Sequence, residues 1–326
     1  MNIESLRGPK PNDNRGLLGL LGRRCLPLWV RASRWRSRLK KKPYVIWLLT
    51  AKPRASICVL TETWINKTSA QFHAQTTRPD GKIDVIWVFE QDPLSPERID
   101  ELRRTIDDQP ECLVLNAPEH YNFYHSSGCF EALQKAGVSV AQEVTEADAY
   151  NGLTVYKKIG EQNSEKWLAD YTGPKSGFRA FRFVDTKWRD GHYRRFRLFY
   201  VFGWVRSSKV FLSKDWNVCV RTTEHLFYGF EVTDKMAALA RAIHEASKID
   251  YFALDLLVRE EDGEAFCVDI NVFPRVWSLG STNRAARRFL PLHTFAAREA
   301  LGMDEPDGIP AGTAFDQALL SRLGDQ

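Results

Sequence analysis

The chain has 326 residues, of which 44% are hydrophobic and 27% are charged, the ordinary balance of a globular protein with room for two or three domains. This balance excludes wholesale disorder, and no run of residues approaches the roughly 20 apolar residues of a membrane-spanning helix. The six cysteines contain no C-x-x-C pair. That argues against a disulfide framework or a structural zinc site and predicts a reducing, cytoplasmic compartment.

The positive charge is concentrated at the N-terminus. Residues 1–43 carry twelve Lys or Arg and two acids, whereas the other 283 residues carry five more acids than bases. This segment, here called the basic arm, mixes Leu, Trp and Arg, and Pro27 would interrupt a single helix. Three interpretations stay open: a surface segment that contacts anionic lipid or nucleic acid, an organellar presequence, and a flexible solvated tail.

After the arm, short apolar runs alternate with helical patterns. The predicted strands of this region cover 43–49, 84–89 and 111–116. Ser95 as N-cap and Pro96 at the first helical position predict the start of a helix, and 129–137 predicts a short helix that ends at a glycine. Residues 50–83 give no clear prediction. Strand and helix alternation indicates a small parallel sheet covered by helices.

Beyond about residue 150 the strands become longer and the turns shorter, which is typical of antiparallel sheets. The predicted strands cover 152–158, 178–186, 193–203, 204–212, 216–223, 251–260 and 264–274. Gly203 marks a hairpin turn, and Thr233 caps an amphipathic helix over 233–249. A helical region at about 282–323 closes the chain.

The last strand pair carries the most informative residues. If its hairpin folds about Asp262, Asp255 lies directly opposite Asp269, and Asn271 shares their face because side chains two apart on a strand point the same way. Directly opposed carboxylates repel, so the pair needs a proton, a basic partner or a divalent cation. Two carboxylates and an amide oxygen suit Mg²⁺. The alternative is an exposed polar face, which the strongly apolar flanking residues disfavour, and a slip of one residue would separate the two acids.

Four stretches together resemble the ATP-grasp superfamily over roughly 110–276. "LDLLVREEDGEAFCVDINVFP" resembles its final strand pair, and "DGHYRRFRLFYVFGWV" its central antiparallel strands. "LNAPEHYNFYHSSGCFEALQKAGVSVAQ" is similar to the junction before the fold, and "LTVYKK" to the strand whose Lys or Arg reaches the nucleotide phosphates. The order and spacing of the four stretches carry the resemblance, since no single one is specific.

The resemblance implies an α/β (α+β) chain with the ATP-grasp fold, in which two antiparallel-sheet subdomains follow a small parallel α/β domain. The expected domains are the basic arm at 1–43, a pre-ATP-grasp-like α/β domain at 44–145, a first ATP-grasp subdomain at 146–190, and a second subdomain with C-terminal helices at 191–326.

The resemblance also implies roles for individual residues. The expected Mg²⁺ ligands are Asp255, Asp269 and Asn271. Lys157 is expected to contact the nucleotide phosphates, and the expected catalytic residues Arg197 and Arg195 to contact the phosphates or the acyl phosphate. The expected adenine-pairing linker runs from Arg182 through Val184 to Asp185. Lys158 remains an alternative to Lys157, because neighbouring strand residues face oppositely. Three features depart from the family pattern: Asp269 and Arg182 stand where Glu is usual, and the loop at 160–177 is not Gly-rich.

The resulting hypothesis is an ATP- and Mg²⁺-dependent ligase that activates the carboxylate of a small molecule or peptide as an acyl phosphate for attack by an amine or thiol. Two alternatives stay open: an ATP-grasp-like protein that binds nucleotide without efficient turnover, and an interaction protein that acts through the basic arm. Three isolated histidines, His192, His225 and His244, are interpreted as structural.

Overall fold

A computed structural model of the chain describes residues 42–126, 128–146, 149–158, 165–219, 221–228, 230–274 and 311–324. Nearly all of the basic arm, and the predicted helical region before residue 311, lie outside the described residues. Within the described residues, every helix is too short or too polar to cross a membrane.

The first part of the chain forms a four-stranded parallel sheet with strand order β2-β1-β3-β4. Its strands are β1 Tyr44–Leu49, β2 Phe72–Gln75, β3 Val85–Val88 and β4 Leu113–Leu115, and its helices are α1 Ser56–Thr68, α2 Pro96–Asp107 and α3 Cys129–Lys135. The three predicted strands and both predicted helices are confirmed, and the Ser95 hydroxyl accepts the Arg98 N–H as an N-cap. Helix α1 and strand β2 lie within residues 50–83, for which there was no clear prediction.

A small antiparallel sheet follows, with strand order β5-β8-β6-β7. Its strands are β5 Glu143–Val144, β6 Leu153–Lys158, β7 Lys166–Asp170 and β8 Phe178–Arg182. Strand β7 lies inside the segment that the sequence predicted to be a loop, so that prediction is wrong for these five residues. Trp167 of β7 stacks on Tyr156 of β6 with ring centroids 5.2 Å apart, and this packing favours a strand over an open loop.

The large antiparallel sheet has strand order β11-β10-β9-β12-β13. Its strands are β9 Tyr193–Val201, β10 Trp204–Ser213, β11 His225–Tyr228, β12 Tyr251–Val258 and β13 Ala265–Asn271, and helix α4 covers Asp234–Ser247. Phe202 and Gly203 form a two-residue turn in which both have positive φ, 52° and 102°. The Thr233 hydroxyl accepts the Met236 N–H, so the predicted N-cap is confirmed.

The predicted strand at 216–223 is wrong. Side chains bond the backbone locally and turn the chain there: the Asp215 carboxylate accepts the Asn217 N–H at 2.8 Å, and the Thr222 hydroxyl donates to the Asn217 carbonyl at 2.7 Å. Such local bonds offer the backbone partners that compete with a strand ladder. The strand that pairs with β10 begins only at His225.

The core runs without a break from the parallel sheet into the large antiparallel sheet. Trp87 of β3 packs edge-on against Phe202 and Tyr251 of the large sheet, with ring centroids 5.1 and 4.8 Å away. Helix α5, Ala311–Gly324, packs on α1, where the Asp316 carboxylate accepts the Ser69 hydroxyl and the Ala70 N–H. The large sheet therefore packs on the parallel sheet, and its strands β12 and β13 carry the candidate site.

Candidate nucleotide and metal site

The pairing of β12 with β13 places Asp255 directly opposite Asp269, as the sequence predicted. Ala253 pairs with Asn271, so the amide and the two acids lie on neighbouring positions of one strand pair. On the turn side the predicted register is wrong by one residue, because Leu256 pairs with Cys267 and leaves a bulge at Val268. A bulge next to a functional side chain is a common way to aim it. Asp255, Asp269 and Asn271 are called the carboxylate cluster below.

Arg197 meets Asp255 from the other side. Strand β9 also pairs with β12, and Arg197 lies directly opposite Asp255. Its Nε and Nη2 donate to the two carboxylate oxygens of Asp255 at 2.6 and 2.7 Å, a bidentate pair in which the Asp255 side chain is only 2% exposed. Burial would raise the pKa of Asp255, but the guanidinium outweighs burial and holds that pKa below its ordinary value.

Arg195 and Arg197 lie on one face of β9, and Arg194 lies on the other. Arg195 Nη1 is 3.4 Å from Asp255 Oδ2, whereas Arg194 donates to Asp190 at 2.6 Å away from the cluster. The alternation expected for these three residues is therefore confirmed. In this structure both Arg195 and Arg197 bind Asp255, a partner that the sequence alone did not predict for them.

Asp269 is less well compensated than its neighbour. Its side chain is half-buried, and among the described residues no donor lies within hydrogen-bond distance of its carboxylate. Burial raises the pKa of Asp269, the negative charge of Asp255 raises it further, and the opposing effect of Lys157 is too small to restore it. The Asn271 Oδ1 accepts the Phe273 N–H at 2.9 Å, which fixes the amide and leaves one lone pair of that oxygen.

Lys157 reaches the cluster from the small sheet. Its Nζ lies 3.4 Å from the Tyr124 hydroxyl and 5.2 Å from the centre of that ring, and the same hydroxyl donates to the Val268 carbonyl at 3.0 Å. Tyr124 therefore connects the lysine to the bulge beside Asp269. Because neighbouring strand residues face oppositely, the structure places Lys157 rather than Lys158 on the side of the cluster.

Lys166 is a residue that the sequence interpretation missed. It lies directly opposite Lys157 across the β6–β7 pair, so the two ammonium groups share a face. The surrounding protein lowers the pKa of Lys166, the positive charge of Lys157 lowers it further, and Asp269 opposes the shift. The sequence feature that could have identified it is the stretch "KWLAD" within the predicted loop, whose Trp167 favours a strand because it can pack on an aromatic residue of a neighbouring strand. Lys157 and Lys166 are called the lysine pair below.

The predicted linker lies apart from the cluster. Arg182 ends β8 opposite Thr154, and its guanidinium stacks on Tyr150 at 4.8 Å, on the face of the small sheet opposite to Lys157. Val184 is half-buried and Asp185 is exposed. Within the described part of the chain, the backbone of these two residues makes no hydrogen bond to another backbone group.

The arrangement combines hard oxygen ligands with converging cations, the two features that a metal-bound polyphosphate requires. The oxygens of Asp269 and Asn271 fit Mg²⁺, since Asp269 has an unmet negative charge and Asn271 a fixed amide oxygen. Asp255 fits as a further ligand through the lone pairs that Arg197 does not use.

No model of a known protein family matches the sequence, and no curated protein matches it. Solved structures do match. The ATP-grasp ligase PsnB, complexed with a minimal precursor, Mg and ADP, superposes with a TM-score of 0.50 over 87% of this chain and 98% of its own, at 12% identity. PsnB with a phosphomimetic variant of that precursor gives 0.50 over 86% and 99%, at 11% identity. The macrocyclase MdnC from Microcystis aeruginosa MRC, bound with the precursor peptide MdnA, gives 0.49 over 85% and 99%, at 10% identity.

Similarity at this level of identity shows the fold. The chain has the ATP-grasp fold, in which a parallel α/β sheet precedes two antiparallel sheets, and the fold class predicted from the sequence is confirmed. The resemblance of the four sequence stretches is confirmed at the same level.

Proposed function

We propose that the chain is an ATP- and Mg²⁺-dependent ligase that joins a carboxylate to an amine. The observation that carries the proposal is the convergence of the carboxylate cluster with Lys157 and Arg197, which come from three separated stretches of the chain. Removing charged groups from water is costly, and buried ionisable groups with shifted pKa values are concentrated at functional sites. The ATP-grasp fold supports the assignment, and PsnB, with the same fold, was solved with Mg and ADP.

The expected reaction has two steps. A carboxylate oxygen of the substrate attacks the γ-phosphorus of ATP, and ADP leaves; the amine nitrogen then attacks the acyl carbon, loses a proton and displaces phosphate. Bound Mg²⁺ would neutralise negative charge on the phosphate oxygens. Asp269, Asn271 and Asp255 would hold it, while Lys157 would bind the phosphates and the open backbone at 184–185 would pair with the adenine edge.

Arg195 and Arg197 have two tasks in this proposal. Together they neutralise the buried Asp255, which keeps the carboxylate ionised and correctly oriented. Their remaining N–H groups would contact the transferred phosphoryl group, because fixed cations stabilise developing charge without reorganising. The substrates would be a small-molecule or peptide carboxylate and an amine.

A second candidate, a nucleotide-binding protein without efficient turnover, is favoured by one observation. Both oxygens of Asp255 already have a cationic partner in Arg197, so this carboxylate is satisfied without a metal ion. Release of ADP over a panel of carboxylates and amines separates the two candidates, since only the ligase accumulates ADP in proportion to product. The proposal that the basic arm contacts an anionic surface remains a prediction, because the arm lies outside the described residues.

The decisive experiment is calorimetric titration of Mg·ATP into the wild-type protein and into Asp269→Asn. The substitution keeps the shape of the side chain and removes the charge that a metal ion would use, so we expect the affinity for Mg·ATP to fall by at least about tenfold. Glu261→Gln, an exposed acid on the turn of the same hairpin, is the matched control and should bind as the wild type does. Equal affinity in all three proteins would contradict a metal role for the cluster.

A further inference from the structure

A second group of ligand-type side chains lies at the start of β9, whereas the carboxylate cluster lies beside the middle of that strand. His192, Glu224 and His225 each offer one ligand atom, and these three atoms lie within 4.8 Å of one another. Strand β10 brings them together: Leu212 pairs with His225 on one side and with Arg194 on the other. The residue just before β9 and the residues that open β11 therefore meet at one end of the large sheet.

The His192 ring lies between two carboxylates without bonding to either. Its Nε2 is 3.6 Å from the Glu224 carboxylate, and its Nδ1 is 3.6 Å from the Asp190 carboxylate. Both ring nitrogens are buried, and within the described ranges neither has a hydrogen-bond partner. Burying two ring nitrogens without hydrogen bonds costs free energy, and a bound ligand would recover that cost.

The second carboxylate has the position of an orienting partner. Asp190 accepts a hydrogen bond from Arg194 Nη2 at 2.6 Å and from the His192 backbone N–H at 3.1 Å. The Arg194 guanidinium in turn stacks on the Trp188 ring at 3.7 Å, so the arginine that binds Asp190 is itself fixed in position. A histidine that binds a metal ion usually donates its other ring N–H to a carboxylate, which fixes the orientation of the ring. Asp190 stands on the Nδ1 side of His192, opposite Glu224, as that arrangement requires.

We propose that His192, Glu224 and His225 form a site for Zn²⁺ or a similar transition-metal ion, with Asp190 orienting His192. Two imidazoles and one carboxylate are ligands that Zn²⁺ accepts, and they leave a fourth position for water or another group. Imidazoles are poor ligands for Mg²⁺, so the site selects against the ion proposed for the carboxylate cluster. Lys214, whose Nζ lies 3.7 Å from Glu224, is 70% exposed and can rotate into solvent when the ion binds.

The site is independent of the proposed ligase function. His192 precedes Arg197 by five residues, about 17 Å along an extended strand, so the ion would not touch the carboxylate cluster. Its location suggests what it does: His192 ends the segment that connects the small sheet to the large sheet, and His225 and Glu224 belong to the edge of the large sheet. A bound ion would fasten the connecting segment to that edge strand and restrict its movement.

The test is a titration of the metal-free full chain with Zn²⁺, followed by calorimetry, and with Co²⁺, followed by visible absorption of the bound ion. We expect one Zn²⁺ per chain at this site. Glu224→Gln and His225→Ala alter exposed side chains, and each should weaken Zn²⁺ binding by at least about tenfold and remove the Co²⁺ absorption band. Asp190→Asn should weaken binding less, because it disturbs the orientation of His192 and keeps all three ligands.

His120→Ala is the matched control, since His120 lies on a loop outside the cluster and should leave Zn²⁺ affinity unchanged. Circular dichroism of each variant checks that the fold persists, and the conservative Glu224→Gln keeps the test informative if His225→Ala fails to fold. Absence of stoichiometric Zn²⁺ binding by the wild type would overturn the proposal. Full affinity in both ligand variants would overturn it as well, because the ion would then be bound elsewhere.

Discussion

The Asp255–Arg197 pair on the large sheet and the lysine pair on the small sheet differ in how their charges are compensated. Asp255 is almost fully buried and is held by Arg197 at 2.6 and 2.7 Å. Of the lysine pair, Lys157 contacts the Tyr124 ring and hydroxyl. Within the described residues, neither ammonium has a carboxylate within salt-bridge distance. One region is neutralised by its own sheet, and the other is left positive.

This difference separates what folding requires from what a ligand requires. The Asp255–Arg197 pair is built into neighbouring strands, so its loss should be felt by the folded state itself. The like charges of the lysine pair repel each other across β6 and β7, a cost that folding gains nothing from and that a bound polyanion would relieve. Loss of the Asp255–Arg197 pair should therefore change stability most, whereas substitutions in the lysine pair should mainly change binding.

The largest effect is expected for Asp255→Ala. Removal of one partner of a buried ion pair leaves an uncompensated charge on Arg197, and we expect the free energy of unfolding to fall by about 3 kcal/mol. Urea denaturation at neutral pH measures it. The double variant Asp255→Ala/Arg197→Ala should recover part of the loss, because it removes the stranded charge as well. A single-variant loss below about 1 kcal/mol would mean that the pair is effectively solvated.

The same pair predicts a dependence of stability on pH. The pKa of Asp255 is lowered in the folded state, so its contribution is present above the pKa of an unfolded aspartate, about 4, and is lost as the pH falls through the lower folded value. Acid titration of the free energy of unfolding should show this loss in the wild type and its absence in Asp255→Ala. An equal acid dependence in both proteins would assign the loss to other carboxylates.

The next largest effect is expected for Lys166→Met, which keeps the length of the side chain and removes its charge. If the lysine pair binds the phosphates of ATP, the affinity for Mg·ATP should fall by about tenfold and that for inorganic tripolyphosphate by a similar factor, while adenosine binding stays unchanged. Lys158→Met, one residue beyond Lys157 on the opposite face, is the matched control. If Lys166→Met binds Mg·ATP as tightly as the wild type does, Lys166 has no role in phosphate binding. That result would not bear on the role proposed for the carboxylate cluster.

The sequence predicted those features that depend on local chemistry or on strict alternation. The caps at Ser95 and Thr233 need only neighbouring backbone groups. The opposition of Asp255 and Asp269 was predicted from a turn register that is off by one residue, and the bulge at Val268 compensates for that error. The bulge at Val268 was not predictable from the hairpin sequence, and the Val268 carbonyl accepts the Tyr124 hydroxyl from 144 residues away.

Contacts between distant strands were missed for the same reason. Lys166 comes to lie beside Lys157 only because β7 pairs with β6. His192 and His225, interpreted separately as structural, lie close together only because β10 pairs with both β9 and β11. Arg197 was expected to face phosphate, and its bond to Asp255 depends on β9 and β12 lying side by side, although 50 or more residues separate their sequences. Residue type and spacing on one strand cannot specify which strand becomes its neighbour.

A smaller effect with the opposite sign is expected for Asp269→Asn. The pKa of Asp269 is raised, chiefly by burial and then by Asp255, so its ionisation destabilises the folded state as the pH rises from about 4 through the folded pKa. The uncharged amide removes this repulsion, and the free energy of unfolding at neutral pH should increase by about 1 kcal/mol. Thermal and urea denaturation should thus show a more stable protein, while its Mg·ATP affinity is reduced. A less stable variant would show that the charge of Asp269 is compensated in the folded protein.

The smallest effect is expected for Tyr124→Phe, because this change removes one hydroxyl and keeps the ring beneath Lys157. The hydroxyl donates to the Val268 carbonyl at 3.0 Å and lies 3.4 Å from the lysine Nζ, so it links the two sheets at the point where phosphate and metal would meet. We expect stability to fall by about 1 kcal/mol for the lost hydrogen bond, and Mg·ATP affinity to fall by about threefold because Lys157 and the bulge beside Asp269 lose their common contact. Calorimetry at several Mg²⁺ concentrations distinguishes this link from a purely structural bond. The purely structural bond would lower stability and leave the Mg²⁺ dependence of ATP binding unchanged, whereas a positioning role requires the dependence to become steeper in the variant.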